Sequence, residues 1–182
     1  MTELSDGAVS LRPQESSVLV QGDPLLVAER PEIDATARLG NGRTVTVDVR
    51  FGRLPAADDV GDDVVLVGPI DAGSVGDVPV YTVAGPDDLT GYGVALTQVL
   101  EDVDDPLFVR IDSLTALLQH VSTDAVFRFI HVLCGRIDRE TAVLVATIDP
   151  AAHDEQTIAT ITQPFDVAVT GDDGERRIRR RG

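Results

Sequence analysis

The residues that could do chemistry in this 182-residue chain begin with Leu107-Phe108-Val109-Arg110-Ile111-Asp112-Ser113, an apolar strand pattern that ends on a carboxylate and a hydroxyl. Nucleotide hydrolases present a magnesium ligand in this way, as an Asp delivered by a buried strand. The plainer reading of Asp112 is a turn or helix-capping residue. A magnesium-nucleotide site also needs a phosphate loop, which must follow a strand and open a helix so that helix-terminal amides point at the phosphates. Ala37-Arg38-Leu39-Gly40-Asn41-Gly42-Arg43-Thr44 has the glycine spacing of such a loop, with Arg43 where the lysine would stand. It follows a helical pattern and opens a strand pattern, so it reads as a Gly-stopped helix and an Asn-Gly turn. The proper position is after Gly22, where the chain has Asp23-Pro24-Leu25-Leu26, with neither a glycine pair nor a lysine. A nucleotide bound there would meet Gly22, Asp112 and Ser113, with magnesium on Asp112, although Asp23 would repel a phosphate. No cofactor is otherwise implied, and no catalytic residue is identified.

His120, His131 and His153 could be imagined as a metal set with Asp149 and Asp154, but their spacings match no ligand motif. His120 ends a helical pattern, where positive charge suits the helix dipole. His131 falls on the polar face of its helix. Around His153 the residues Asp149, Asp154 and Glu155 suit a turn and a helix start. Ser113 lies beside Asp112 but has no base within reach of the sequence argument, so no Ser-His-Asp arrangement is supported. Cys134, the only cysteine, reads as a small core residue, and no internal disulfide can form. The one basic feature is Glu175-Arg176-Arg177-Ile178-Arg179-Arg180-Arg181. Its arginines, Arg176, Arg177, Arg179, Arg180 and Arg181, could contact a protein partner, a second copy of the chain, or nucleic acid. The plainer reading is an edge strand with solvated arginines that discourage edge pairing.

Short β-branched runs alternating with amphipathic stretches must position these residues. Strand patterns cover 17–22, 44–49 (alternating and therefore half-exposed), 64–67, 78–84, 107–111, 141–148 and 165–169, and 177–181 is a final short strand or a tail. Helical patterns cover Pro31 to Leu39, stopped by Gly40, then a stretch from Leu89 capped by an Asp, Leu114 to Val121, a stretch after Ser122-Thr123, and His153 to Thr162. Two glycines, Gly91 and Gly93, fall in the first turn after Leu89, where they weaken the helix or let something approach closely. Leu54 to Gly61 is a Pro- and Asp-rich loop. Residues 1–16 are polar and aperiodic and read as a flexible lead-in to one domain over 17–182. This alternation specifies an α/β domain in three layers, with a mostly parallel sheet covered on both faces. Ligands in such sheets sit at the carboxyl ends of the strands, which is where Asp112 falls.

The formal charge is −16, from 15 basic and 31 acidic residues; every basic residue is Arg, and Asp outnumbers Glu 23 to 8. With no lysine, Schiff-base catalysis and a standard phosphate-loop lysine are excluded. Dispersed aspartates without lysine suit a cytoplasm at molar salt, where a Debye length of about 3 Å screens self-repulsion. The sequence is therefore that of a halophile. An acidic body repels nucleic acid and anionic membranes outside the Arg-rich end, which stands out against −20 on the rest. No apolar run reaches membrane-spanning length and no secretory leader is visible, so a cytoplasmic protein without membrane contact is expected.

Four segments carry a family resemblance: Gly85 to Gly93 (GPDDLTGYG), Ile111 to His120 (IDSLTALLQH), Phe127 to Leu133 (FRFIHVL) and Asp149 to Ile158 (DPAAHDEQTI). Over about residues 83 to 170 the chain resembles an uncharacterised haloarchaeal family that is itself distantly similar to RecA- and KaiC-class ATPase domains. Over 17–80 the resemblance is one of topology only. It implies a RecA-like, P-loop NTPase-like fold with a degenerate phosphate loop and Asp112 in the Walker B place. The missing loop, the missing lysine and the lack of a water-activating Glu near the second strand's end imply a member that does not hydrolyse nucleotide. Three functions remain open: a regulatory or protein-interaction module; a nucleotide sensor or weak ATPase using Asp112, with Arg43 or Arg110 in place of the lysine; and a DNA-binding regulator working through the Arg-rich end.

Overall fold

The computed structural model of the chain describes residues 2–5, 8–22, 32–52, 63–69, 77–172 and 175–182. Its strands are β1 (Thr2–Ser5), β2 (Val9–Ser10), β3 (Ser17–Gln21), β4 (Ile33–Asp34), β5 (Val45–Val49), β6 (Val64–Pro69), β7 (Val80–Val83), β8 (Leu107–Ile111), β9 (Ala142–Ile148), β10 (Val167–Asp172) and β11 (Glu175–Arg180). The helices are α1 (Thr36–Leu39), α2 (Leu89–Asp102), α3 (Leu114–Leu118), α4 (Thr123–Ile137) and α5 (Glu155–Thr162). Among the described residues the main sheet has the order β1-β11-β10-β3-β9-β8-β5-β6-β7, and β2 pairs with β4 separately. The strands from β10 through β7 run parallel, whereas β11 lies antiparallel between β10 and β1. The fold is thus α/β with a mixed, mostly parallel sheet.

Burial on both faces explains the near-continuous apolar strands, of which all seven residues of β9 are buried. Leu19, Val47, Val109 and Leu144 point to the side filled by α2, α3, α4 and α5. Val18, Val20, Val143, Val145, Val167, Val169 and Ile178 point to the other, where Val9, Leu11, Ala35 and Leu39 cover them. Helix starts follow local capping chemistry: Asp88 accepts from the Gly91 N–H, Ser122 from Ala125 and Asp154 from Thr157. Among the described residues no helix is long and apolar enough to cross a membrane.

Four expectations change. The helix expected over Pro31 to Leu39 shrinks to α1, and Ile33–Asp34 is a strand instead. The Val9 and Leu11 amides take the Glu32 and Asp34 carbonyls at 2.8 and 2.9 Å, so those carbonyls are unavailable to a helix. The lead-in is not unstructured: Thr2–Ser5 pairs with β11, and Val9 and Leu11 are buried. The Arg-rich segment is consequently an internal strand, since β1 covers the side that would have been an edge. Finally, β5 is not half-exposed, because Asp48 on its polar side is 2 % exposed. The loop expected over Leu54 to Gly61 and the position after Gly22 where a phosphate loop would lie are both outside the described residues.

Candidate functional site

Three strands deliver residues to the carboxyl edge of the sheet. Strand β3 ends just before Gly22, whose N–H donates to the Ile148 carbonyl of β9 at 3.0 Å. Strand β8, on the other side of β9, ends just before Asp112. Gly22 and Asp112 therefore sit on one edge with a single strand between them, staggered by two residues and about 12 Å apart by strand spacing and rise. Ser113 N-caps α3, its Oγ accepting from the Ala116 N–H at 3.3 Å. Thr115 of α3 accepts from the Asp149 N–H at 2.9 Å, and its hydroxyl lies 3.1 Å from His153 Nε2. These bonds tie the turn after β9 to the start of α3.

The Asp112 carboxylate is committed to protein partners. One oxygen accepts from the Thr147 hydroxyl at 3.1 Å, and the other lies 3.6 Å from Arg50 Nη1. Arg50 also holds Asp48, through Nε at 3.0 Å and Nη2 at 2.9 Å, and Arg110 Nη2 meets the same Asp48 oxygen at 3.1 Å. Two carboxylates and two guanidiniums thus form a charge-balanced cluster beside the strand ends. Asp48 is buried because it is paired, as an ionised side chain in the interior must be. Tyr92 fixes the cluster from the core: its hydroxyl donates to the Arg50 carbonyl at 2.6 Å, and its ring meets Phe51 edge-on at 4.8 Å. Burial is the main cause that raises the Tyr92 phenol above its ordinary range, with the Asp88 charge adding to it.

The arginines considered as lysine substitutes fall differently. Arg43 pairs with Asp63 at 2.6 Å and Asp105 at 2.7 Å, both just before strands β6 and β8. That is the amino edge of the sheet, so Arg43 cannot serve a ligand at Asp112. Arg110 lies on β8, two residues before Asp112, but is engaged with Asp48. The stretch from Ala37 to Thr44 does follow a helix and open a strand, with Gly40 at φ 77°. Among the described residues no three His, Cys, Asp or Glu side chains converge as metal ligands. His131 is instead stacked on Phe127, with ring centroids 5.8 Å apart.

Strand alternation divides the Arg-rich end between two faces. Arg176 and Arg180 lie on the face of Ile178, where Arg180 pairs with the buried Glu15 and donates to the Ser10 carbonyl at 3.1 Å. Arg181, after the strand, lies 3.3 Å from Asp166 and bonds the Pro164 carbonyl at 3.2 Å. Arg177 and Arg179 lie on the opposite face, next to α5. They line a groove of about 440 Å³ together with Gln21, His153, Glu155, Ile158 and other residues of α5 and β10. The five arginines are therefore not one patch. Sequence reasoning missed Asp48, Arg50 and Thr147; the only local signal was the Asp inside an otherwise apolar strand, two residues before an Arg.

Residues 12–171 match a family of unknown function (DUF7504), and the chain belongs to that family. No curated protein matches it. Among solved structures it is similar to a structural-study target from Pyrococcus horikoshii OT3, with a TM-score of 0.55 at 13% identity over 93% of this chain and 88% of that one. It is also similar to an uncharacterised Pyrococcus horikoshii protein in complex with an unknown peptide, with a TM-score of 0.55 at 10% identity over 93% and 84% of the two chains.

Proposed function

We propose that this member of the DUF7504 family is a RecA/KaiC-like domain of a halophilic archaeon that has lost nucleotide hydrolysis and acts in the cytoplasm as a regulatory or protein-interaction module. The observation that carries the reading is the state of Asp112. A magnesium ligand faces the metal without a competing cation, whereas here Thr147 bonds one Asp112 oxygen and the Arg50 guanidinium stands 3.6 Å from the other, placing positive charge where the metal would bind. Arg43 is tied down at the far edge of the sheet, Arg110 is engaged with Asp48 and the chain has no lysine, so neither the phosphate-loop lysine nor the arginines considered in its place serve a phosphate at Asp112. Residues 17–182 are read as one domain, with Thr2–Ser5 adding its outermost strand. An archaeal origin suits the Pyrococcus structures it resembles, and the peptide bound to one of them suits a fold used for protein contact.

A nucleotide sensor is the second reading, favoured by the common edge on which Gly22 and Asp112 stand. Calorimetry with ATP and magnesium in molar KCl separates the two. The expected result is no binding in the micromolar range; micromolar binding abolished by Asp112→Asn would overturn the non-nucleotide reading. A DNA-binding role through the Arg-rich end is weakened by the division of its arginines between two faces. Truncation at Gly174 would remove an internal strand, so Arg177→Ala with Arg179→Ala is the cleaner test. DNA affinity that falls uniformly across sequences in that variant, with a shallower salt dependence, would revive the idea.

A further inference from the structure

We propose that the groove between α5 and the β10–β11 pair docks an extended acidic segment of a partner protein, held by Arg177 and Arg179. The inference rests on the interaction-module reading and adds to it a site and a partner chemistry. The backbone register builds the floor. Gln21, Thr170 and Arg177 are paired across β3, β10 and β11, and the next row on the same face is Leu19, Ala168 and Arg179. Leu19 is covered by the core, but toward β11 the cover ends and the two arginines are exposed. Neither forms a hydrogen bond or ion pair through its side chain with the described residues. In a chain of net charge −16, where seven described arginines have carboxylates within ion-pair distance, two adjacent guanidiniums on one groove without a carboxylate partner among the described residues are a local excess of positive charge.

Spacing identifies the occupant. Arg177 and Arg179 are two residues apart on a strand, so their backbones are separated by about 6.7 Å. An extended peptide repeats its side chains on one face at the same interval, so acidic residues at alternate positions meet both arginines in register. Arginine forks bind carboxylates through paired N–H bonds. The rest of the wall suits a peptide better than a phosphate group. Ile158 and Ala168 offer apolar contact, which a compact phosphate would not use, and Thr170 and Gln21, whose amide nitrogen already donates to the Thr162 hydroxyl at 3.1 Å, offer polar side chains to a peptide backbone. His153, which also lines the groove, is held at Thr115.

The test is fluorescence anisotropy of a labelled peptide of alternating Glu and Thr with the full chain, at the lowest salt that leaves its circular dichroism unchanged. The peptide is expected to bind, and Arg177→Glu with Arg179→Glu to weaken it about tenfold or more, which corresponds to 1.4 kcal/mol. Arg139→Glu, away from the groove, is expected to leave it unchanged. If the charge-reversed chain fails to fold, Arg177→Gln with Arg179→Gln is compared in the same way. Absence of binding, equal binding to the arginine variants, or equal weakening by Arg139→Glu would overturn the proposal. Displacement of the peptide by micromolar ATP would also overturn it, in favour of a nucleotide occupant. Failure here leaves the calorimetric test of Asp112 untouched, so the two readings fall separately.

Discussion

Asp166 is the side chain whose removal best tests how the amino edge of the sheet is held in place. It stands just before β10, and one of its oxygens accepts from the Ser16 N–H at 2.9 Å, the Ser17 N–H at 3.2 Å, the Ser17 hydroxyl at 3.0 Å and the Ser16 hydroxyl at 3.2 Å. In return the Asp166 N–H donates to the Ser17 Oγ at 3.0 Å, so the starts of β3 and β10 are clamped together. Ser16 and Ser17 are each 1 % exposed. Asp166→Ala therefore strands two buried amides, at about 1–3 kcal/mol each. The Asp166 side chain is 19 % exposed, so water can reach part of the vacated space, and a total of about 2–4 kcal/mol follows. For a chain of this length that lowers Tm by roughly 5–15 °C. Asp166→Asn keeps one acceptor oxygen but loses the charge, and is expected to cost about 1–2 kcal/mol. Thermal melts followed by far-ultraviolet circular dichroism measure both. An Asp166→Ala chain that melts with the unaltered one would refute the clamp, as would an Asn variant worse than the Ala variant.

Three further outcomes are expected. A Cβ on Gly91 would lie 2.2 Å from an Asp88 carboxylate oxygen, so Gly91→Ala must dislodge the cap of α2. Asp88→Ala costs about 1 kcal/mol in a denaturant melt, Gly91→Ala costs less because the helix propensity of alanine offsets part of the lost cap, and the double variant is no less stable than Asp88→Ala alone; two losses that simply add would contradict the shared cause. Both tyrosines titrate above the usual 10.0, Tyr81 chiefly through its bond to Asp102 and Tyr92 chiefly through burial. Because the folded value is the higher one, the stability they contribute is complete below about pH 10 and is lost as pH rises through the folded value. Phenolate absorbance growing at the unfolded midpoint while the fold persists would show the assignment wrong. Burial pushes the Cys134 thiol up to about 12, so a thiol reagent in mildly alkaline buffer should modify it only after denaturation; rapid labelling of the folded chain would contradict its position.

Elements whose cause is local were legible in the sequence, and those whose cause lies on a distant strand were not. The start of α2, the cap of α4 at Ser122 and the stop at Gly40 follow from the residue at the boundary and its neighbours. The helix expected from Pro31 failed because its carbonyls are taken by Val9 and Leu11, more than 20 residues earlier in the chain. Strand β11 looked like an edge because its cover, Thr2–Ser5, lies at the opposite end of the chain in a segment without periodicity. The Asp112 strand end was readable from its apolar run, but Arg50, which neutralises it, was not. That pairing exists only because β5 and β8 are neighbours in the sheet. The division of the terminal arginines into two pairs on opposite faces was implicit in the period of two, once the segment was taken as a strand rather than a tail.

The exclusive use of arginine has a structural side that composition alone did not suggest. Arg38, with a side chain 11 % exposed, reaches five backbone carbonyls: Pro13, Ile137, Asp138, Glu140 and Ala142, at 2.7–3.2 Å. These include the carbonyls at the end of α4 and the turn leading into β9, so one side chain closes a helix terminus that has no glycine stop. A lysine has three donors on a single atom and could not satisfy a set spread over this distance, whereas the planar guanidinium presents five. The Asp48 cluster uses the same property, with Arg50 bridging two carboxylates that a point charge could not hold together. Arg177 and Arg179, by contrast, stand side by side on one groove without a partner among the described residues, and this pairing of free forks, rather than the net charge, marks the surface.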